Sequence, residues 1–137
     1  MSSDESRRRR YQRLLAQLEG LIRKTPDPVA HRATAAALLH HKLPGVSWTG
    51  FYMLRDDRLV VDAYQGPVAC LVLEAHTGVC WAAVDGRESV LVPDVHAFPG
   101  HIACDSASNS EVVVPIVRNG TLLGVLDLDS PVHARFD

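Results

Sequence analysis

Three cysteines, at positions 70, 80 and 104, are the first residues of this sequence whose type and spacing could do chemistry. No two of them are spaced C-x-x-C, so the sequence has neither a zinc ribbon nor a thioredoxin-type motif. The N-terminus is polar and arginine-rich, without an apolar stretch of secretory type, which predicts an intracellular, cytoplasmic protein. In a reducing compartment such thiols are either inert core residues or redox-active ones.

Cys104 lies in a long stretch, Val92 to Ile116, that begins at the end of one apolar strand and finishes at the start of another. Connections between strands are usually about four to six residues long, and longer loops are functional or disordered. Disorder is not expected here, because the loop has apolar anchors of its own, namely Val95, Phe98, Ile102 and Ala103. We therefore interpret this stretch as a loop that places one thiol over a cluster of carboxylates.

The carboxylates come from a hairpin whose predicted strands are Glu111 to Val117 and Thr121 to Asp129. Two registers are possible for this hairpin. In the first, Asn119-Gly120 forms a two-residue turn. In the second, Gly120 takes the left-handed position of a three-residue loop with a bulge, and Glu111 then faces Asp127.

The alternation of apolar and acidic side chains favours the second register. It leaves one face of the hairpin wholly apolar, with Val112, Val114, Ile116, Leu122, Leu126 and Leu128. Glu111, Asp127 and Asp129 gather on the other face. The first register would place both aspartates on the apolar face, where unpaired burial is costly.

Three carboxylates on one patch repel one another unless a cation binds or one of them is protonated, so the cluster is a functional candidate. The alternatives are rim carboxylates in water or a divalent cation site. A strand from Val46 to Leu54 would add Trp48 and Tyr52 on one of its faces. A thiol, acids and aromatic rings together suit a small, partly apolar, cationic ligand.

The remaining elements frame this site. We expect helices over residues 3–24 and from the Asp27-Pro28 cap to Pro44, followed by strands over 46–54, 59–64, 68–73 and 89–92. A short helix opens at Thr77-Gly78 and carries Cys80 near its N-terminus. That position favours a thiolate, although a buried inert cysteine fits it equally well.

Composition indicates one domain without a nucleic-acid or membrane role. The chain has 137 residues, of which 47% are hydrophobic and 22% are charged, and a formal charge of -2. Its apolar runs are shorter than the roughly 18 residues that suggest a membrane span. The basic run Arg7 to Arg10 is interpreted as a solvated helix face, because no further basic patch follows it.

The sequence resembles the free methionine-(R)-sulfoxide reductases, which are built on a GAF domain. The matching segments are WTGFY (48–52), QGPVAC (65–70), GVC (78–80), VPDV (92–95), FPGHIACDSASNSEVVVPI (98–116) and GVLDLD (124–129). The resemblance implies a single α+β domain over 1–137, with N-terminal helices in 3–43 and the sheet and active-site loop in 46–130. It implies an antiparallel sheet of about six strands, with the N-terminal helices on one face and the cysteine-bearing loop and short helix over the other.

The resemblance also implies a reaction, the reduction of free methionine-(R)-sulfoxide. Cys104 would attack the sulfoxide sulfur and become a sulfenic acid, which Cys70 would resolve as a disulfide, with Cys80 as a second candidate. Thioredoxin would supply the reducing equivalents, without a bound cofactor or metal. The substrate-binding residues would be Glu111 and Asp129 at the sulfoxide oxygen, which they would help to protonate, Asp127 at the ammonium, and Trp48 and Tyr52 at the methyl group.

The sequence departs from the family pattern in two places. Trp81 follows Cys80 where the family usually has glycine, which weakens the case for Cys80 more than that for Cys70. Family members usually continue beyond Phe136-Asp137 into a C-terminal helix. Without that helix, we expect part of the apolar sheet face to be exposed unless a homodimer partner or further chain covers it.

Two other functions fit parts of this sequence. A GAF-type module can bind a small ligand without chemistry, although it would need no thiol over its pocket and no second cysteine within disulfide reach. A metal site could use His101, Cys104 and the carboxylates, but H-x-x-C alone is a weak motif.

Overall fold

The computed structural model describes residues 2–101 and 107–137. Six antiparallel strands form one sheet in the order β3-β2-β1-β6-β5-β4. Their bounds are β1 Trp48–Arg55, β2 Arg58–Gln65, β3 Val72–Leu73, β4 Val90–Val92, β5 Ser110–Arg118 and β6 Thr121–Ser130. The predicted α+β fold, with its six-stranded antiparallel sheet, is confirmed.

Two N-terminal helices, α1 (Ser3–Ile22) and α2 (Pro28–Lys42), begin at side-chain caps. Ser2 and Glu5 form a capping box at α1, each side chain bonding the other's backbone N–H. At α2, the Asp27 carboxylate accepts a hydrogen bond from the Val29 N–H, and Pro28 occupies the first turn. The predicted helix starts are therefore correct.

The helix α2 covers one face of the sheet. Ala35 and Ala36 pack against Phe51 of β1, with Met53 and Leu126 at the edge of this cluster. Small side chains on the helix allow the helix and the strand backbones to approach closely. The odd-numbered residues of β1 thus face the N-terminal helices, as their spacing predicts.

The main core lies on the opposite face of the sheet, under the short helix α3 (Gly78–Gly86). It contains Trp48 and Tyr52 of β1, residues of α3 and one side chain from most of the other strands. The fully buried members include Leu59, Ala83, Val95, Val113 and Val125. A one-turn 3₁₀ helix, η1 (Val95–Ala97), follows β4 and closes this side.

The predicted register of the β5–β6 hairpin is wrong at its turn. Arg118 pairs with Thr121, so the turn has two residues, Asn119 and Gly120. Both residues have positive φ, 51° and 78°, as a type I′ turn requires. This turn matches the twist of the flanking strands, which is why Asn-Gly adopts it here.

The extra residue lies within β6 instead. Val117 pairs with Leu122, whereas Ile116 pairs with Gly124, so Leu123 forms a bulge. Beyond it Glu111 faces Asp129, rather than Asp127 as predicted. The bulge shifts the alternation of β6 by one residue and so turns both aspartates to the face that Glu111 occupies.

The predicted membership of the two hairpin faces is therefore correct on one side of the bulge and wrong on the other. Leu126 and Ile116 contact the α2 cluster, as the apolar face predicts. Leu122, which precedes the bulge, packs instead against the main core beneath α3.

The third predicted strand, 68–73, is also shorter than expected. Only Val72 and Leu73 pair with β2, and Cys70 lies in the connection before them. Gly66 has a φ of 124° and Pro67 lacks a backbone donor, and the first backbone hydrogen bond from β2 to this segment is that of the Val61 N–H to the Leu71 carbonyl at 2.9 Å. Among residues 2–101 and 107–137, no helix is long and apolar enough to cross a membrane.

We predict that Gly124→Ala lowers the free energy of unfolding by about 1–3 kcal/mol, because overpacking forces the backbone to move. A Cβ at this position would lie 2.4 Å from the Tyr52 carbonyl oxygen and 2.8 Å from the Met53 Cα. Gly20→Ala is the matched control, since nothing lies within 4 Å of its Cβ. In α1 that change should stabilise by about 0.5–1 kcal/mol. Urea denaturation of both variants checks the pair, and equal effects would contradict the predicted close approach.

Candidate active site

A cavity lies between the sheet and the N-terminal end of α3, on the face that holds the main core. Its walls come from β1, β5, β6, the connection before β3, and α3. The lining residues are Trp48, Tyr52, Pro67, Val68, Ala69, Leu73, Thr77, Gly78, Val79, Cys80, His101, Ser108, Glu111, Asp127 and Asp129. Every predicted substrate-binding residue therefore lines this one cavity.

Trp48 and Tyr52 form an aromatic wall of the cavity. They lie two pleats apart on β1, and their rings stack with centroids 5.9 Å apart. The Trp48 indole N–H donates to the Pro67 carbonyl at 3.1 Å, and the Tyr52 hydroxyl donates to the Cys70 carbonyl at 2.9 Å. Because both polar ends are bonded, the rings offer apolar surface to a ligand.

Sequence reasoning missed two contributors to this wall. Tyr64 of β2 stacks on Trp48 with centroids 5.2 Å apart, because it pairs with Gly50 across the β1–β2 ladder. Pro67 supplies the carbonyl that orients the indole. The alternation within β2 could have indicated Tyr64, but only its register against β1 places the two rings together.

Strand pairing brings the three carboxylates together. Trp48 pairs with Asp129, and Gly50 with Asp127. From the other side, Glu111 pairs with Asp129. The three acids and the aromatic wall thus occupy adjacent positions on three neighbouring strands, so their relative positions are fixed by backbone hydrogen bonds.

Asp127 is a carboxyl whose surroundings favour its protonated form. It is 5% exposed, and its Oδ1 has no hydrogen-bond partner among the described residues. Burial, followed by the charges of Asp129 and Glu111, raises the pKa of Asp127 well above its ordinary value. Burial and the neighbouring charges therefore favour a protonated carboxyl at this position.

The other groups around Asp127 fit this picture. Glu111 is buried, and the Ser108 hydroxyl donates to Asp129 Oδ1 at 3.4 Å. Burial, followed by the charge of Asp127, raises the pKa of the Tyr52 phenol, so that hydroxyl stays a donor. Ser108 was not predicted, because a serine in a Ser/Asn-rich run carries no signal for a buried hydrogen bond.

Cys80 points into the same cluster but is not activated by it. The residue is a free, buried cysteine, and one ligand atom from each of Cys80, Glu111 and Asp127 lies within 4.8 Å of the others. Burial, then the charges of Asp127, Glu111 and Asp129, raises the pKa of the Cys80 thiol. These effects outweigh the helix N-terminus that would favour a thiolate.

These three groups could also hold a metal ion. A cation there would have to displace the thiol proton and the proton that the carboxylates share. The predicted alternative metal site, with His101 and Cys104, cannot be assessed because Cys104 lies outside the described residues. His101 does line the cavity.

Cys70 differs from Cys80. Cys70 takes part in a disulfide and lies in the connection whose carbonyl Tyr52 binds.

Trp81, the residue that departs from the family pattern, is accommodated in the main core, and its ring centroid lies 4.5 Å from that of His76. The helix α3 still begins at Gly78, as predicted.

Comparison with known proteins gives consistent matches. Residues 27–137 match the GAF domain family. The free methionine-R-sulfoxide reductase of Escherichia coli (strain K12) is 47% identical over 108 residues, covering 79% of this chain and 66% of that protein. The free methionine-R-sulfoxide reductase of Saccharomyces cerevisiae is 36% identical, and the match covers 99% of this chain and 80% of that protein.

A solved structure agrees with these matches. It is the X-ray structure of free methionine-R-sulfoxide reductase from Neisseria meningitidis in complex with its substrate. It superposes with a TM-score of 0.89 at 43% identity, covering 93% of this chain and 77% of that chain.

The raised pKa of Asp127 gives a prediction for stability. The pKa of an aspartate in the unfolded chain is about 3.9, and that of Asp127 in the folded chain lies above it. Between these two values the folded chain binds more protons than the unfolded chain, so the free energy of unfolding falls as the pH rises. Asp127→Asn removes the titrating group. We expect its free energy of unfolding to exceed that of the wild type at pH 8 by roughly 1–3 kcal/mol and to vary less with pH.

Asp62→Asn is the control of opposite sign. Burial alone would raise the pKa of Asp62, but the hydrogen bond from Arg32, the Ala63 N–H and the charges of Arg32 and Arg55 lower it overall. Losing this carboxylate should destabilise the chain at neutral pH. Denaturant titrations between pH 5 and 8 measure both variants. A wild-type stability that rises with pH and an Asp127→Asn variant less stable than wild type would together contradict the assignment.

Proposed function

Because this chain belongs to the GAF-domain family of free methionine-(R)-sulfoxide reductases, we propose that it reduces free methionine-(R)-sulfoxide to methionine. The observation that carries the proposal is the carboxylate cluster, in which burial and neighbouring charges favour the protonated form of Asp127 directly beside an aromatic wall. A sulfoxide is a poor electrophile until its oxygen is protonated. A site that holds an acid proton near neutral pH supplies what this reaction needs.

The cavity matches the two ends of a free amino acid sulfoxide. The apolar rings of Trp48 and Tyr52 suit the S-methyl group. The ammonium of a free amino acid is a cation that a peptide-bound methionine lacks, and it would pair with Asp127. A buried carboxyl that already lacks a partner for Oδ1 within the described part of the chain gains one from this cation.

Substrate binding would also release the proton. An ammonium next to Asp127 favours its ionised form and so lowers its pKa. The proton then passes to Glu111 and Asp129, which we assign to the sulfoxide oxygen. Binding of the substrate ammonium thereby makes a proton available at the sulfoxide oxygen. A substrate without a free ammonium would not cause this proton transfer.

We assign the nucleophile to Cys104, which lies outside the described residues. Its thiolate would attack the sulfoxide sulfur while the sulfoxide oxygen takes up a proton. The oxygen would then be transferred to the Cys104 sulfur as methionine is released, which leaves Cys104 as a sulfenic acid. Cys70 would then condense with the sulfenic acid, forming a disulfide and releasing water. Two cysteine thiols are oxidised, and one sulfoxide is reduced.

The states of the other two cysteines support this division of roles. Cys70 is disulfide-bonded, whereas Cys80 is a free thiol in the buried acid cluster. The raised pKa of Cys80 makes it a slow nucleophile. We therefore propose Cys70, rather than Cys80, as the residue that resolves the sulfenic acid.

Thioredoxin is the proposed electron donor, and no bound cofactor is needed. Cys70 is only half-buried, and the neighbouring Val68 and Leu71 are 83% and 72% exposed. A disulfide in this setting is accessible to a dithiol protein that docks on apolar surface.

A coupled assay tests the function. NADPH consumption with thioredoxin and thioredoxin reductase should be observed with free methionine-(R)-sulfoxide and be absent with the S epimer and with a peptide-bound sulfoxide. Because the ammonium of the free amino acid pairs with Asp127, an N-acetylated R-sulfoxide should also fail. Turnover of the peptide-bound form, or none with any sulfoxide after the thiols are shown to be reduced, would contradict the proposal. In the second case, methionine binding without turnover would indicate a ligand sensor.

Single cysteine variants test the division of roles. Cys104→Ser should abolish turnover, because no sulfenic acid forms. Cys70→Ser should release roughly one methionine per chain and then stall. Cys80→Ser, the matched control, should continue cycling. Methionine release measured by rapid quench, with and without thioredoxin, distinguishes these outcomes. Sustained cycling by Cys70→Ser and stalling by Cys80→Ser would exchange the two roles.

A further inference from the structure

A second group of potential ligands lies on the surface, outside the cavity described above. It consists of Asp94, His96 and His133, and one ligand atom from each lies within 4.8 Å of the others. All three side chains are accessible, with 47%, 62% and 62% of their surface exposed. None of the three lines the cavity. We propose that they form a binding site for a divalent transition-metal ion, with Zn²⁺ as the representative ion.

The distances between the ligand atoms suit such an ion. Asp94 Oδ1 lies 3.1 Å from His96 Nδ1 and 3.8 Å from His133 Nε2. Ligands in a tetrahedral zinc site, each bonded at about 2.0–2.2 Å, lie about 3.3 Å from one another. The two distances from Asp94 Oδ1 are within about half an ångström of that spacing, and small side-chain rotations would adjust them. Water would occupy the fourth position.

The types of donor select the class of metal. Two imidazole nitrogens and one carboxylate oxygen favour Zn²⁺, Ni²⁺ or Cu²⁺ over Mg²⁺ and Ca²⁺, which prefer sites made only of oxygen. Neutral imidazoles are the form that binds metal.

Backbone contacts hold the two halves of the group together before any metal binds. Asp94 is the N-cap of η1, and its Oδ1 accepts the His96 N–H at 3.0 Å. The Ala134 N–H, next to His133, donates to the Pro93 carbonyl at 2.9 Å. Each contact involves a ligand or its direct neighbour in the chain. Little ordering entropy therefore remains to be lost on binding.

One further bridge joins the same two segments. The Val95 N–H donates to the Asn109 carbonyl at 2.9 Å, and the Asn109 side chain donates to the Pro131 carbonyl at 2.7 Å. Asn109 thereby connects the segment of η1 to the turn that carries His133. The proposed metal would tie together two segments that are already in register.

The chain contains a matched pair that should not bind metal in this way. His76 Nδ1 lies 3.0 Å from the Asp85 carboxylate, and the two side chains are 69% and 47% exposed. Within residues 2–101 and 107–137, no third ligand accompanies them. The pair therefore reproduces the histidine–carboxylate contact and the exposure but lacks the second imidazole.

Isothermal titration of the full chain with Zn²⁺ tests the proposal. The protein is kept in its disulfide form, so that Cys70 does not compete, and EDTA reverses binding. We expect one Zn²⁺ per chain in the wild type and in His76→Ala, and weakening of at least about tenfold in both His96→Ala and His133→Ala. Equal affinity in the wild type, His96→Ala and His133→Ala would overturn the site and place Zn²⁺ elsewhere, for example at Cys80. Absence of binding to the wild type would also overturn it.

A thermal-shift series provides the second readout. Zn²⁺ that binds only the folded chain raises the Tm in proportion to its affinity. The increase should occur in the wild type and in His76→Ala and be lost in His96→Ala and His133→Ala. Because both histidines are exposed, these variants should have unchanged Tm values without Zn²⁺, and a drop of several degrees in the absence of metal would assign the histidines a structural role instead.

Discussion

The repulsion among three clustered carboxylates, two of them buried, is the constraint on which the rest of this structure depends. Two acids on β6 and one on β5 are held on the same sheet face by backbone pairing, so they cannot move apart. Water does not screen Asp127 and Glu111, which are both nearly fully buried. The remaining way to lower the energy is to bind a proton in the cluster, and a bound proton that can be donated is a reagent.

The fold places this reagent by dividing the sheet between two tasks. Even-numbered residues of β1 form the wall of the cavity, and odd-numbered ones bind the N-terminal helices. The sheet can be rigid at the acids because α2 covers its far side with small residues that allow close packing. The segment 67–70, which carries Cys70, is attached differently. The side chains of Trp48 and Tyr52 hold it by hydrogen bonds to the Pro67 and Cys70 carbonyls, rather than by strand pairing. The proposed exchange between two cysteines would therefore take place on the part of the site with fewer backbone constraints.

Alternation and capping signals were sufficient to predict most of this architecture. They gave the helix starts, the two faces of β1 and the grouping of Glu111 with Asp127 and Asp129. These signals failed in the β5–β6 hairpin, where one extra residue decides which side chains share a face. The Leu123 bulge reconciles the two-residue turn at Asn119-Gly120 with the alternation that packs Leu126 against α2. Pattern alone cannot locate this compensating residue. The sequence also could not predict that Asp127 has the raised pKa, since this depends on which acid is most deeply buried in the folded chain.

The hydrogen bond from the Tyr52 hydroxyl to the Cys70 carbonyl has a consequence for how this family can diversify. The wall that would select the substrate and the segment that would carry electrons share an anchor, and Trp48 adds a second one at Pro67. A substitution that reshapes the wall for a different side chain also releases the backbone around Cys70. In the proposed mechanism, substrate specificity and thiol exchange are thus coupled. A substitution that alters one of them must be compensated by a second substitution that restores the other.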